Sequence, residues 1–286
     1  MRLFSIILIC LWVYRSFGQG EYITLDDSTQ LYIEELGSGQ TILFIPGWTM
    51  THRFFEKQKE YFSNQYHVLS YDPRGQGRSD KTLFGNTYAN HARDLHQILQ
   101  KKSLKNVILV GWSSGCLTMY EYIRAYRFDK IDKMIFIDEP PKWIGDVDTE
   151  WVYGSFDDYR GSLKNLISEP SDPNEIIDWM LANPIDSSTR AWMNQEILMT
   201  PQHIALSLYV DGIASDYTKE VALIQSRVTV FFMVRAFWYD QATNWLKQVT
   251  PNSKVVSISS HAMFWESPKK FNQILSTFLN TNIDKK

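Results

Sequence analysis

The chain reads as an α/β protein with a mostly parallel central sheet and helices on both faces, and three observations carry that reading. Short apolar runs rich in β-branched and aromatic residues alternate with segments of helical periodicity. Most of these runs are apolar on successive residues, as strands buried on both sides must be. The alternation breaks for a long stretch only once, at 141–218, where helical patterns stand alone. With 44% hydrophobic and 21% charged residues and a formal net charge of -3, the 286-residue chain has the means to bury a core, and neither disorder nor a collagen period fits. Lys and Arg occur in nothing longer than short pairs such as Lys101-Lys102, so there is no basic footprint for nucleic acid. Cys10 and Cys116 are the only cysteines, too few for a disulfide framework.

The elements follow in order. Arg2, the apolar run at 3–14 and the small residues Ser16 and Gly18 predict a secretory signal peptide over 1–18, cut before Gln19, and hence a secreted or periplasmic protein. That run falls short of the roughly 20 apolar residues a membrane span needs, so no stable membrane insertion of the mature chain is expected. Asp26-Asp27-Ser28 between runs at 22–25 and 31–36 predicts an edge hairpin. Core strands are expected at 41–45, 66–71, 106–110, 133–137, 228–234 and 254–259, and helices at 54–63, 88–99, 114–126 and 269–279. The core therefore spans 19–140 and 219–286. The insertion at 141–218, after the sixth strand, is too long for a simple loop and is expected to be a helical cap, with helices near 176–180 and 191–199 between Pro170, Pro173, Pro184 and Pro201. The cap holds Trp143, Trp151, Trp179 and Trp192. Trp143, Trp151 and Trp192, with Trp112 of the core, are the candidate substrate-binding residues, although packing of cap on core explains each of them singly.

Gly111-Trp112-Ser113-Ser114-Gly115 matches G-x-S-x-G between a strand and a helix. Glycines on both flanks let the chain bend sharply enough to project a hydroxyl, which makes Ser113 the candidate nucleophile. The helix that follows aims its positive end at the same place, so the Ser114 N–H is a candidate oxyanion donor. Of the six histidines, His52, His67, His91, His96 and His203 fall in helical segments, a strand or the cap, where structural roles are expected. His261 follows the last strand in a loop before the final helix. Ligands gather at that carboxyl edge of a parallel sheet, and Ser113 leaves its strand there too, so His261 is the candidate general base. His91 and His96 are five apart and no Cys or carboxylate cluster joins them, so no metal and no cofactor are implied.

Together these features resemble the α/β-hydrolase superfamily over 21–279, and within it the capped esterase and cofactor-free haloperoxidase-like branch. Ile45-Pro46-Gly47-Trp48 is similar to the first oxyanion loop of that family, which implies the Trp48 N–H as the second oxyanion donor; Pro46 departs from the more usual His. Asp72-Pro73-Arg74-Gly75-Gln76-Gly77-Arg78-Ser79 resembles its D-x-R-G-x-G-x-S stretch, read here as structural turns. The resemblance implies an acid to orient His261, and two carboxylates compete. The commoner family position is replaced by Val234-Arg235-Ala236-Phe237-Trp238-Tyr239-Asp240, where the glycine is missing and Asp240 is displaced. The other position offers Asp138, whose strand ends cleanly at the carboxylate, so Asp138 is preferred and Asp240 is the alternative. The expected function is a serine hydrolase of a small, apolar carboxylic ester or lactone, with peroxyacid formation as an alternative use of the same acyl-enzyme. A slow or non-catalytic small-molecule receptor on the same fold is the reading from a different class.

Overall fold

The computed structural model describes residues 20–224, 228–251 and 253–281. The expected signal peptide at 1–18 lies outside the described residues. Eight strands, β1 (Glu21–Thr24), β2 (Gln30–Gly37), β3 (Thr41–Ile45), β4 (His67–Tyr71), β5 (Val107–Trp112), β6 (Ile131–Ile137), β7 (Thr229–Arg235) and β8 (Lys254–Ile258), form one sheet in the order β1-β2-β4-β3-β5-β6-β7-β8. β1 and β2 pair antiparallel around a turn at Ser28 (φ 70°), and β2 pairs antiparallel with β4; every other pairing is parallel.

The parallel strands show why their sequences are apolar on successive residues. Leu43, Leu109, Phe136 and Phe232 point into one core layer, while Phe44, Val110, Ile137 and Met233 point into the other. The first layer is covered by α2 (Tyr88–Lys101), α3 (Gly115–Tyr126), α8 (Thr218–Ile224) and α9 (Tyr239–Val249). On the second lie α1 (Glu56–Phe62), α10 (Met263–Glu266) and α11 (Pro268–Leu279). Between β6 and β7 the chain forms α4 (Phe156–Ser168), α5 (Pro173–Met180), α6 (Ser187–Leu198), α7 (Gln202–Ala214) and then α8. Sequence periodicity pointed to α5 and α6. It did not single out α4 and α7, and α8 carries helix past residue 218. Among the described residues no helix is long and apolar enough to cross a membrane.

The stretch from Asp72 to Ser79 is a structural turn. Asp72 Oδ1 accepts the N–H of His52 at 2.7 Å and stands 2.7 Å from its Nδ1, Oδ2 accepts the Arg78 N–H, and the Arg74 guanidinium forks onto Asp94 at 2.8 Å twice. Gly77 has φ +49°, and a Cβ there would stand 2.2 Å from an Asp72 oxygen, so the position requires glycine. Burial alone would lower the His52 imidazole, but bonds to Asp72 and Glu34 outweigh it and hold the group up at about 9. A folded-state value raised above 6.5 gives stability that is complete below about pH 6.5 and lost as pH rises through about 9. Urea denaturation of wild type and His52→Gln from pH 6 to 10 is expected to show a pH-dependent gap on the order of 3 kcal/mol that closes towards the alkaline end. A gap independent of pH would refute the charged His52.

Candidate active site

Five adjacent parallel strands deliver the candidate residues at their carboxyl ends. Trp48 follows β3, Ser113 follows β5, Asp138 follows β6, Arg235 closes β7 and His261 follows β8. Ser113 and Asp138 share one local device. The Ser113 N–H extends the ladder by one bond to Ile137 O (2.9 Å) and the Asp138 N–H extends the next by one to Met233 O (2.7 Å). Each residue then turns at φ 53°, a conformation unfavourable for a side chain and held by those bonds. Around Ser113 the glycines have a steric reason: a Cβ on Gly115 would stand 2.4 Å from Ile45 O, one on Gly111 2.5 Å from Met119 Sδ, and one on Gly47 2.9 Å from Ser113 Cβ.

Of the two candidate acids, Asp138 is the one against His261. Its Oδ2 lies 2.7 Å from His261 Nδ1, and both residues are buried. Asp240 is exposed in the first turn of α9 and makes no hydrogen bond to His261. Ser113 and His261 line the same cavity, and among the described residues no hydrogen bond joins their side chains. Contacts between a nucleophile and its base commonly tighten only in the substrate complex. The main-chain N–H groups of Trp48 and Ser114 donate to no acceptor among the described residues, as expected of groups that could serve a developing oxyanion. Trp48 is anchored through its indole, which donates to Ala205 O of α7 at 2.7 Å.

The cavity measures about 870 Å³. Trp112 and Trp143 line it. Trp151 and Trp192 do not: Trp151 is buried against Phe232, Trp238 and Trp245, and Trp192 packs between Phe54, Trp265 and the Arg53 guanidinium. Their places are taken by Tyr153, Tyr159, Trp179 and Tyr209, with the Trp179 ring 4.4 Å from that of His261. Behind the wall sits Glu139, missed in the sequence although it is the carboxylate next to Asp138. Trp143 Nε1 donates to it at 2.5 Å and the Tyr153 hydroxyl at 2.6 Å. Burial, with some repulsion from Asp138, pushes its carboxyl up to about 8 despite those donors, so near neutrality it is mostly uncharged. The rim carries Asp158, Glu169, Asp172 and Glu175, and among the described residues neither Lys nor Arg lines the cavity. Among the described residues no group of three or more His, Cys, Asp or Glu converges as a metal site would require.

A family model described as alpha/beta hydrolase fold matches residues 40–165, which contain Trp48, Ser113, Ser114 and Asp138. The chain is 25% identical over 281 residues to the AB hydrolase superfamily protein YisY of Bacillus subtilis, covering 92% of this chain and all of that one. The chain has the α/β-hydrolase fold. Among solved structures this chain superposes on an esterase from Exiguobacterium antarcticum with a TM-score of 0.82 at 22% identity, and on a bromoperoxidase from Bacillus anthracis with 0.79 at 24%, each over 92% of this chain and 100% of the other. At those identities the likeness speaks for the fold alone.

Proposed function

We propose that this α/β-hydrolase cleaves carboxylic esters or lactones of small, largely apolar substrates through an acyl-enzyme on Ser113. The observation that carries the reading is the 2.7 Å contact of Asp138 with His261 Nδ1, made at the strand end next to the one that presents Ser113. With the proton on Nδ1, Nε2 is free to take the Ser113 proton as Oγ attacks the acyl carbon. The N–H groups of Trp48 and Ser114 then stabilise the oxyanion, His261 returns the proton to the departing alcohol, and water repeats the sequence to release the acid. Asp138 orients the ring and offsets its charge without taking the proton. Aromatic walls favour an apolar acyl or alcohol group, and the acidic rim disfavours anionic ones. Peroxide in place of water would give a peracid from the same intermediate, a second reading favoured by the likeness to a bromoperoxidase fold. Export by the expected signal peptide is part of the proposal.

The test joins labelling to turnover. A fluorophosphonate is expected to form one adduct, located on Ser113 by peptide mass mapping, and short-chain nitrophenyl esters to be hydrolysed. A neutral ester should exceed a matched dicarboxylate half-ester by about tenfold in kcat/KM at low salt, with the gap narrowing as salt screens the rim. Labelling without turnover would favour a receptor, and an adduct elsewhere would refute the Ser113 mechanism.

A further inference from the structure

Arg235 closes β7 as a buried side chain, and its contacts converge on the pair just described. Its main-chain N–H donates to Asp138 Oδ1 at 2.7 Å and its Nε donates to Oδ2 at 2.6 Å. Its Nη2 stands 3.0 Å from His261 Nδ1, the same nitrogen that lies 2.7 Å from Asp138 Oδ2. One ring nitrogen therefore has a donor and an acceptor at hydrogen-bonding distance and can satisfy one of them at a time. With its proton on Nδ1 the ring donates to Asp138 and leaves Nε2 basic. With the proton on Nε2, Nδ1 accepts from Arg235, and the nitrogen that would take the Ser113 proton has no lone pair to offer. A doubly protonated ring would place a second cation beside the guanidinium, with one shared carboxylate between them.

We propose that Arg235 is a positioning residue for His261: by sharing Asp138 and setting its own charge against the ring, it keeps the imidazole neutral in acidic medium and divides it between two tautomers. The consequence rests on the reading of His261 as general base, and it is a hydrolase that stays active well into acid with a base that is in the productive tautomer for part of the time. The arrangement is held in place. The guanidinium lies over Trp179 at 4.5 Å and Trp238 at 4.6 Å, and Trp179 in turn covers the His261 ring.

Among the described residues, the surroundings of His261 contain no other charge that could do the same. β6 presents Asp138 and β7 presents Arg235, and these two are the charged groups that act on the ring. α5 presents the Trp179 indole, and Trp112 lies 5.5 Å away at the nucleophile turn with its Nε1 donating to His261 O. Glu139 is turned to Trp143 and Tyr153, and Glu266 beyond the loop is engaged by Ala182 and Asn183. Burial first and the Arg235 charge second push the imidazole down to about 4, with Asp138 pulling the other way.

Two readouts test the proposal on the full chain. In ¹⁵N-histidine NMR of the wild type, His261 is expected to stay neutral down to about pH 5 and to show both tautomers in the neutral ring. The acid limb of kcat/KM for a short-chain nitrophenyl ester should lie below about pH 5. Arg235→Gln, which removes the charge, is expected to move both the titration and the limb up by about one pH unit or more and to enrich the Nδ1–H tautomer; Arg235→Lys, which keeps the charge, should leave the limb within about half a unit. A merely structural role would lower the amplitude of the profile without moving it. Titration of wild-type His261 near 6.5, or identical limbs in wild type and Arg235→Gln, would overturn the proposal. Should Arg235→Gln fail to fold, the tautomers of the wild-type ring still test it, since a neutral His261 found only as the Nδ1–H tautomer would overturn the proposal. Should no ester be hydrolysed, the NMR arm decides it independently of the proposed activity.

Discussion

Asp138→Asn is expected to lower kcat/KM for a short-chain ester by about 10⁴-fold, while Asp240→Asn leaves it within about twofold. The asymmetry follows from what each carboxylate touches. Asp138 is fully buried between His261 Nδ1 and the Nε and main-chain N–H of Arg235. An amide there keeps the shape but can turn its NH₂ towards Nδ1, which fixes the ring with its proton on Nε2, and it removes the negative charge that stabilises the imidazolium formed in each half-reaction. It also leaves the Arg235 guanidinium unbalanced in a buried site, so some loss of stability is expected along with the loss of rate. Asp240 sits exposed in the first turn of α9, where its neutralisation costs a few tenths of a kcal/mol of helix-end electrostatics and nothing at the cavity. Initial rates beside circular dichroism of both variants separate the two effects. A larger loss in Asp240→Asn would sink the assignment of Asp138.

Which of these features could be read before any coordinates depended on whether their signal was local. Ser113 was legible because the crowding that demands Gly111 and Gly115 is made by residues close in sequence or in the neighbouring strand, and the strand and helix flanking it could both be seen. His261 was legible because the end of the last strand places it whatever the other strands do. The acid stayed open between two strand ends because the choice turns on the β5-β6-β7 adjacency and on how far the turn after β7 carries Asp240 away, neither of which is written in the local pattern. Arg235 was passed over for the same reason. A lone arginine closing an apolar run reads as a solvent-facing strand end, and only the neighbouring strand reveals that it binds Asp138. The pocket wall was the least legible part. Which tryptophans face inwards is decided by the rotation of short helices joined by prolines, so Trp151 and Trp192 were assigned to the wall while Tyr153, Tyr159, Trp179 and Tyr209 occupy it. For α4 a local signal did exist: Ser155 and Asp158 form a reciprocal cap of the S-x-x-D kind, which marks the start of a helix that its polar composition otherwise conceals.

Gly47→Ala is expected to lower kcat/KM by about 10²-fold or more while the protein remains folded, because the added methyl acts on the geometry of the site. An alanine Cβ would stand 2.9 Å from Ser113 Cβ, 3.2 Å from Trp112 O and 3.4 Å from Ser113 Oγ. Ser113 has little room to yield, since its N–H is bonded to Ile137 O, its carbonyl accepts from the Cys116 N–H at 2.7 Å, and its backbone already occupies a strained region. The loop bearing Gly47 yields instead. It is held by Gln76 Nε2, which donates to Gly47 O at 3.0 Å and Met50 O at 2.7 Å, so displacement moves the Trp48 N–H away from the position where an oxyanion would form. Overpacking of this kind costs about 1–3 kcal/mol of stability, enough to lower the thermal midpoint by a few degrees but not to unfold the chain. The rate of fluorophosphonate labelling should fall in parallel with ester turnover, since both need the hydroxyl and the oxyanion donors in register. A variant that labels and turns over at the wild-type rate would show that the loop after β3 contributes no oxyanion donor, and would leave the Ser114 N–H to act alone.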